Sequence, residues 1–170
     1  MEPQPHNSES AERPEVRPSL IVLMFGSALF SGYSPLASGT VGSMVALVIY
    51  FIPGCEQWFI LLPLILIVFF LGIPAAARME KFYGKDPAEV TIDEVVGMWI
   101  SLLWLPKTIP IAMIAFIAFR LFDIVKPFPA NYYDKRTGGF AIMMDDVVAG
   151  FYANVIIQIM LKLNLLSLPN

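Results

Sequence analysis

The carboxylates that could do chemistry in this chain stand where polar stretches meet apolar ones. They are Asp93, Glu94, Asp123, Asp145 and Asp146. One adjacent acid pair at a helix start has an ordinary explanation, because the helix dipole favours negative charge there. Two such pairs brought to one site would repel each other unless a cation lay between them. The repeated arrangement therefore indicates a cation site, and all five carboxylates are candidate metal ligands and catalytic groups.

The scarcity of histidine and cysteine in this sequence indicates which kind of cation the site would bind. The only histidine, His6, lies in the polar N-terminal stretch, and the single cysteine, Cys55, is best explained by packing. Carboxylates without histidine or cysteine select a hard cation, and Mg²⁺ is the usual choice when phosphate is another ligand. A Ser-His or Cys-His catalytic pair has little support in such a chain. We therefore expect acid-base chemistry from carboxylates, lysine, tyrosine or bound water.

Three further residues are candidates for binding a phosphate group: Thr40, Arg120 and Lys126. On a helix, Arg120, Asp123 and Lys126 would lie along one face, where the two cations flank the carboxylate. Arginine binds phosphate with two parallel hydrogen bonds and lysine acts as a point charge, although a surface salt-bridge ladder would have the same spacing. Thr40 lies in SGTVGS, a turn of small residues leading into a helix start, with Ser38 or Thr40 as the expected cap.

The composition indicates that a bilayer is the solvent of the elements that position these residues. The chain has 170 residues, of which 57% are hydrophobic and 15% charged, with a net charge of −3 and a mean hydropathy of +0.69. A water-soluble domain of this composition would be difficult to keep dispersed. We expect an all-α fold, a polytopic membrane helical bundle with short or re-entrant helices.

The apolar runs predict the individual helices. Trp58 to Ala77 is the clearest membrane span, with no charged residue in twenty positions, and Phe140 to Leu166 contains a second one. Val95 to Leu105 and Ile109 to Phe119 predict a helical hairpin that dips into or across the membrane. The remaining apolar runs are Ser19 to Phe30, too short to span, and Leu36 to Ile52, long enough to cross most of a bilayer.

The distribution of apolar and charged residues divides the chain into two parts. It also predicts on which side of the membrane the candidate carboxylates lie. Residues 1–18 are rich in proline and mixed charges and predict a disordered tail, and residues 19–170 predict a single membrane-embedded helical domain. Arg78, Lys81 and Lys85 follow the first span, which places that loop in the cytoplasm. If the hairpin returns to the same side, all the candidate residues lie on one cytoplasmic face.

Four blocks of the sequence together resemble the phosphatidylglycerophosphatase A family of bacterial membrane lipid phosphatases. They are SGYSPLASGTVGS, DPAEVTIDEVVGMWI, FRLFDIVKPFPA and GGFAIMMDDVVAG, within about Gly26 to Gly150. The chain has Ser38 where the family usually has proline, which alters the rigidity of the turn but removes no ligand. The resemblance implies Mg²⁺-dependent removal of the terminal phosphate of phosphatidylglycerophosphate at the cytoplasmic face of the bacterial inner membrane. It leaves open whether a water molecule or a carboxylate attacks the phosphorus.

The partners expected from this interpretation are a phospholipid substrate and the bilayer, and not nucleic acid. Two other functions compete with it. A phospholipid synthase that transfers a phosphatidyl group would also use acids and Mg²⁺, but its D-x-x-D-G-x-x-A-R signature is absent from the sequence. A small ion-coupled membrane transporter lined by carboxylates would carry its acids at mid-membrane, whereas these acids stand at segment ends.

Overall fold

The computed structural model describes residues 17–166, which fold into helices with no strand among them. The all-α prediction is therefore confirmed for this part of the chain. Residues 1–18 were predicted to be a disordered tail, and residues 1–16 of this stretch lie outside the described range. The helices are α1 (Leu20–Gly26), α2 (Ser38–Phe51), α3 (Trp58–Tyr83), α4 (Ile92–Leu102), α5 (Ile109–Val125), α6 (Ala130–Asp134) and α7 (Gly139–Lys162), with a 3-10 turn at Ser31–Tyr33.

Within the described range, α3 and α7 are the two helices long and apolar enough to cross a membrane. With 26 and 24 residues, they are about 39 and 36 Å long at 1.5 Å per residue. Both were predicted as spans, but α3 continues to Tyr83 instead of ending at Ala77. Arg78 and Lys81 therefore stand on the last turns of a helix, and the loop that was expected from Arg78 onward is shorter.

Helix α2 differs from its prediction in two respects. It has 14 residues, too few for the span of about 20 that a bilayer requires. Its N-cap is Ala37, without a side-chain cap hydrogen bond, so the prediction that Ser38 or Thr40 caps it was wrong. Both residues lie inside the first turn, because Ala37 takes the left-handed conformation (φ 44°) that turns the chain into the helix.

Helix α4 is the centre of the fold. Ten of its eleven residues are buried, and it packs against α2, α3, α5 and, most extensively, α7. The α4–α7 contact is close because two glycines face each other: a Cβ on Gly150 would lie 2.2 Å from the carbonyl oxygen of Gly97. The predicted hairpin is present as α4 and α5, which pack against each other with Thr108 capping α5.

Helices α5 and α7 begin or end at backbone conformations that their sequence explains. Helix α5 ends at Val125, since Lys126 is left-handed (φ 48°) and Pro127 has no N–H to continue the helix. Helix α7 begins after Gly138, whose φ of 103° is accessible to glycine. The pair Asp145 and Asp146 therefore lies in the second turn of α7, not at its start as the sequence suggested.

Candidate active site

A cavity of about 300 Å³ lies where the start of α2, the start of α4, the end of α5 and the second turn of α7 meet. Six of the eight predicted site residues line this cavity: Asp93, Glu94, Asp123, Lys126, Asp145 and Asp146. The other two, Thr40 and Arg120, are not among its lining residues. The wall that α2 contributes is made by Ser38 and Gly39 instead.

Three of the carboxylates form a close cluster. One oxygen atom from each of Glu94, Asp123 and Asp146 lies within 4.8 Å of the other two. Glu94 and Asp146 are buried, and Oδ2 of Asp146 has no hydrogen-bond partner among the described residues. Carboxylates at this separation repel one another in a low dielectric unless a cation or protons offset the charge. The cluster and its unpartnered oxygen suit an oxygen-coordinated divalent cation such as Mg²⁺.

Arg120 supports this cluster from behind the cavity wall. Its guanidinium forms an ion pair with Glu94 and lies 3.0 Å from Oδ2 of Asp123. In this arrangement Arg120 orients two of the three clustered carboxylates and offsets part of their charge. Removing this arginine alone would leave the two carboxylates without their counter-charge, and such a loss in a buried ion pair usually costs about 3–5 kcal/mol.

Lys126 is placed differently from the prediction. Because α5 ends one residue earlier, Lys126 does not continue the face that carries Arg120 and Asp123. Its ammonium lies 2.5 Å from Asp134 and forms a second ion pair with Asp145. Burial lowers the pKa of Lys126, but the hydrogen bonds to these two carboxylates outweigh burial and raise the pKa above its usual value. The lysine is therefore charged at neutral pH and faces the cavity.

Glu94 is held by its neighbours on α2 and α4. The Ser43 hydroxyl donates to Oε2 of Glu94 at 3.1 Å, and the Glu94 N–H donates to Oδ1 of Asp93 at 3.0 Å. A Cβ on Gly39 would lie 1.9 Å from Oε1 of Glu94, so this close approach requires glycine. Burial and the charge of Asp123 raise the pKa of Glu94 to about 7, against the lowering effect of Arg120.

Several residues that position or line the site were not among the predicted site residues. Asp86 and Ser38 line the cavity, Asp134 binds Lys126, and Glu80 accepts a hydrogen bond from the N–H of Gly138 at 2.6 Å. The last contact ties the end of α3 to the start of α7, which carries two of the acids. Asp134 and Glu80 resemble ordinary surface charges in the sequence, and only the helix packing brings them to the site.

The apolar helices and the buried acid cavity together define a class of protein, a membrane-associated enzyme with a carboxylate site. The chain belongs to the phosphatidylglycerophosphatase A family, since the model of that family matches residues 24–161. The chain is therefore a phosphatase, and the resemblance inferred from the sequence is confirmed.

Curated relatives agree with this assignment. Phosphatidylglycerophosphatase A of Escherichia coli is 33% identical over 77% of this chain and 76% of its own length. The Haemophilus influenzae protein of the same name is 31% identical over 81% and 85%. A candidate phosphatidylinositol-3-phosphatase of Bacteroides thetaiotaomicron is 37% identical over 84% of this chain and 95% of its own length. No solved structure gives a significant match. These relatives do not favour the transporter interpretation.

Proposed function

We propose that the chain is a Mg²⁺-dependent phosphatase that removes the terminal phosphate of phosphatidylglycerophosphate and leaves phosphatidylglycerol. The observation that carries this proposal is the cluster of Glu94, Asp123 and Asp146 beside the charged Lys126 in one cavity. The family to which the chain belongs supports the substrate.

The donor atoms fit the proposed cation. The cluster offers three carboxylate oxygens and no sulfur or imidazole, which is the donor set that Mg²⁺ prefers. When bound, Mg²⁺ polarises a phosphoryl oxygen and offsets the negative charge that develops on the transferring group. Glu94, Asp123 and Asp146 would hold it, with Arg120 keeping two of these carboxylates in place.

The other cavity residues have separate proposed roles. Lys126 binds a phosphate oxygen, and Asp145 and Asp134 hold its ammonium toward the cavity. Three cavity carboxylates lie outside the cluster: Asp145 is occupied by that lysine, Asp86 is exposed and Asp93 is buried. Asp93 is therefore the candidate to accept the proton of an attacking water molecule. The alternative remains a carboxylate that attacks the phosphorus directly and forms an aspartyl phosphate.

We further propose that residues 19–170 form one membrane-embedded domain in the bacterial inner membrane, with the cavity facing the cytoplasm. The support is the position of Arg78, Lys81 and Lys85 at the cavity end of α3, because basic residues beside a span favour the cytoplasmic side.

Phosphate release from phosphatidylglycerophosphate in detergent micelles tests the reaction and the site together. The wild-type protein should release phosphate with Mg²⁺ and not with EDTA. Asp146→Asn should lose at least about 100-fold in kcat, by analogy with the loss of other groups that stabilise a transition state. Glu56 lies at the other end of the molecule, where it is paired with Lys107. Glu56→Gln is therefore the matched control and should keep full activity. Release that persists in EDTA would refute the metal requirement.

A second candidate substrate is phosphatidylinositol 3-phosphate, which the name of the Bacteroides relative suggests. Measuring both lipids under the same conditions decides between them, and the preferred substrate is the one with the higher kcat/KM. If a folded protein with Mg²⁺ releases phosphate from neither lipid, both proposals fail. An ion flux into vesicles that is lost in Asp145→Asn would then favour transport.

A further inference from the structure

The end of the molecule that holds the cavity carries a group of exposed cations. We name this group the basic rim, and it consists of Arg78, Lys81, Lys85, Lys135 and Arg136. All five side chains are exposed, and none forms an ion pair with a carboxylate of residues 17–166. No carboxylate of the described part of the chain thus competes, through an ion pair, with an outside anion for these cations.

Two contacts show that these cations share one surface although they come from distant parts of the sequence. The N–H of Gly138 donates to Oε2 of Glu80 at 2.6 Å, which joins the last turns of α3 to the segment before α7. A small cleft lined by Asp86, Tyr133 and Arg136 joins the loop after α3 to the same segment. Asp86 also lines the main cavity, so the rim borders its mouth.

Aromatic side chains accompany the basic rim. The guanidinium of Arg136 lies over the ring of Tyr132 at 4.1 Å from its centre. Tyr132, Phe82 and Phe140 are exposed at the same end of the molecule. Tyrosine and phenylalanine beside lysine and arginine are typical of the level at which a protein meets lipid headgroups.

Outside the cavity, positively charged side chains outnumber negatively charged ones at this end of the molecule. At the mouth of the cavity and outside it, the carboxylates at this end are Glu80, Asp86, Glu89 and Asp134. Asp134 is paired with Lys126, so the five cations of the rim outnumber the three remaining carboxylates. At the opposite end of the two long helices, Lys107 is paired with Glu56, and Lys162 is exposed on the last turn of α7.

We propose that the basic rim binds the anionic headgroups of phospholipids in the surrounding leaflet. Each lysine or arginine near an anionic membrane surface strengthens such binding about fivefold. An enzyme with this rim keeps a shell of anionic lipid at the mouth of its cavity and so raises the local concentration of an anionic lipid substrate. The proposal concerns bulk lipid and does not depend on which phosphate ester is hydrolysed.

Lipid selectivity measured by electron paramagnetic resonance tests the rim without any turnover. The full-length protein is reconstituted into phosphatidylcholine vesicles that contain a trace of spin-labelled phosphatidylserine or spin-labelled phosphatidylcholine. The wild-type protein should immobilise the phosphatidylserine probe several times more strongly than the phosphatidylcholine probe. Because the attraction is electrostatic, 0.5 M NaCl should reduce this ratio toward one.

Three variants connect the result to the rim. The triple variant Lys81→Gln, Lys85→Gln and Lys135→Gln should lower the ratio clearly toward one, although Arg78 and Arg136 remain, whereas arginine at the same three positions should retain it. Lys162→Gln, at the opposite end of α7, should leave the ratio unchanged. Equal immobilisation of both probes by the wild-type protein would overturn the proposal. An unchanged ratio in the glutamine variant would overturn it as well, even if the phosphatase activity were established.

Discussion

Lys126 shows how much the role of a single residue depends on its backbone. Its left-handed conformation takes it off the α5 face that carries Arg120 and Asp123, and directs its ammonium to Asp134 and Asp145. Lys126 is the one positively charged residue among those that line the cavity. A phosphate that enters the cavity therefore meets this ammonium next to the three clustered carboxylates.

Replacing Lys126 by methionine, which keeps most of the side-chain volume, should lower kcat/KM about 10- to 100-fold. This is the effect of losing a hydrogen bond from a charged donor, about 1.5–3 kcal/mol. Phosphate release under initial-rate conditions measures it. Lys107→Met is the matched control, because Lys107 is paired with Glu56 at the opposite end of the molecule, and it should leave kcat/KM unchanged. Unchanged kinetics in the methionine variant would remove Lys126 from the phosphate site.

At the scale of elements, the site depends on how closely α4 and α7 approach. Gly97 and Gly150 allow the two backbones to touch, and the same two helices carry Glu94 and Asp146 of the cluster. A wider separation would move these two carboxylates apart. The glycines therefore determine the geometry of the cluster although neither reaches the cavity.

Gly150→Ala should destabilise the protein by about 1–3 kcal/mol and lower kcat, because its Cβ meets the backbone of Gly97, which cannot move aside. Gly72→Ala in α3 is the matched comparison. Its Cβ would meet the side-chain end of Met143 at 2.7 Å, and a flexible methionine can move away. Since alanine also favours a helix, Gly72→Ala should change stability by less than about 1 kcal/mol. Thermal unfolding in detergent measures both variants, and equal losses would contradict the argument.

At the scale of the whole molecule, the long helices and the polar site occupy different regions. The exposed apolar side chains of α3, such as Phe59, Ile67 and Phe70, lie along its length, while the acids and cations of the site gather at one end. The family match covers residues 24–161 and includes every candidate site residue. Every candidate site residue thus lies in the described part of the chain.

Deleting residues 1–16 should leave kcat/KM within about twofold of the full chain, because no proposed ligand or catalytic residue lies in that stretch. The measurement is phosphate release by both proteins at equal helical content in circular dichroism. A folded but inactive truncation would show that the N-terminal stretch contributes to the site.

The sequence predicted most of the helices, although not the short α6, and the kinds of residue at the site, because hydropathy and side-chain chemistry are local properties. It located the two long helices within a few residues at each end except for the C-terminal end of α3. It also identified six of the seven charged residues that line the cavity, all except Asp86. The family could be inferred from the same motifs.

Which of these residues contact one another depends on how the helices pack. Adjacent residues on a helix point about 100° apart, so of each acid pair just one member, Glu94 or Asp146, reaches the cluster. Their neighbours take other partners: Asp93 accepts from a backbone N–H and Asp145 binds Lys126. Such a division depends on the relative rotation of three packed helices, which no local pattern in the sequence specifies.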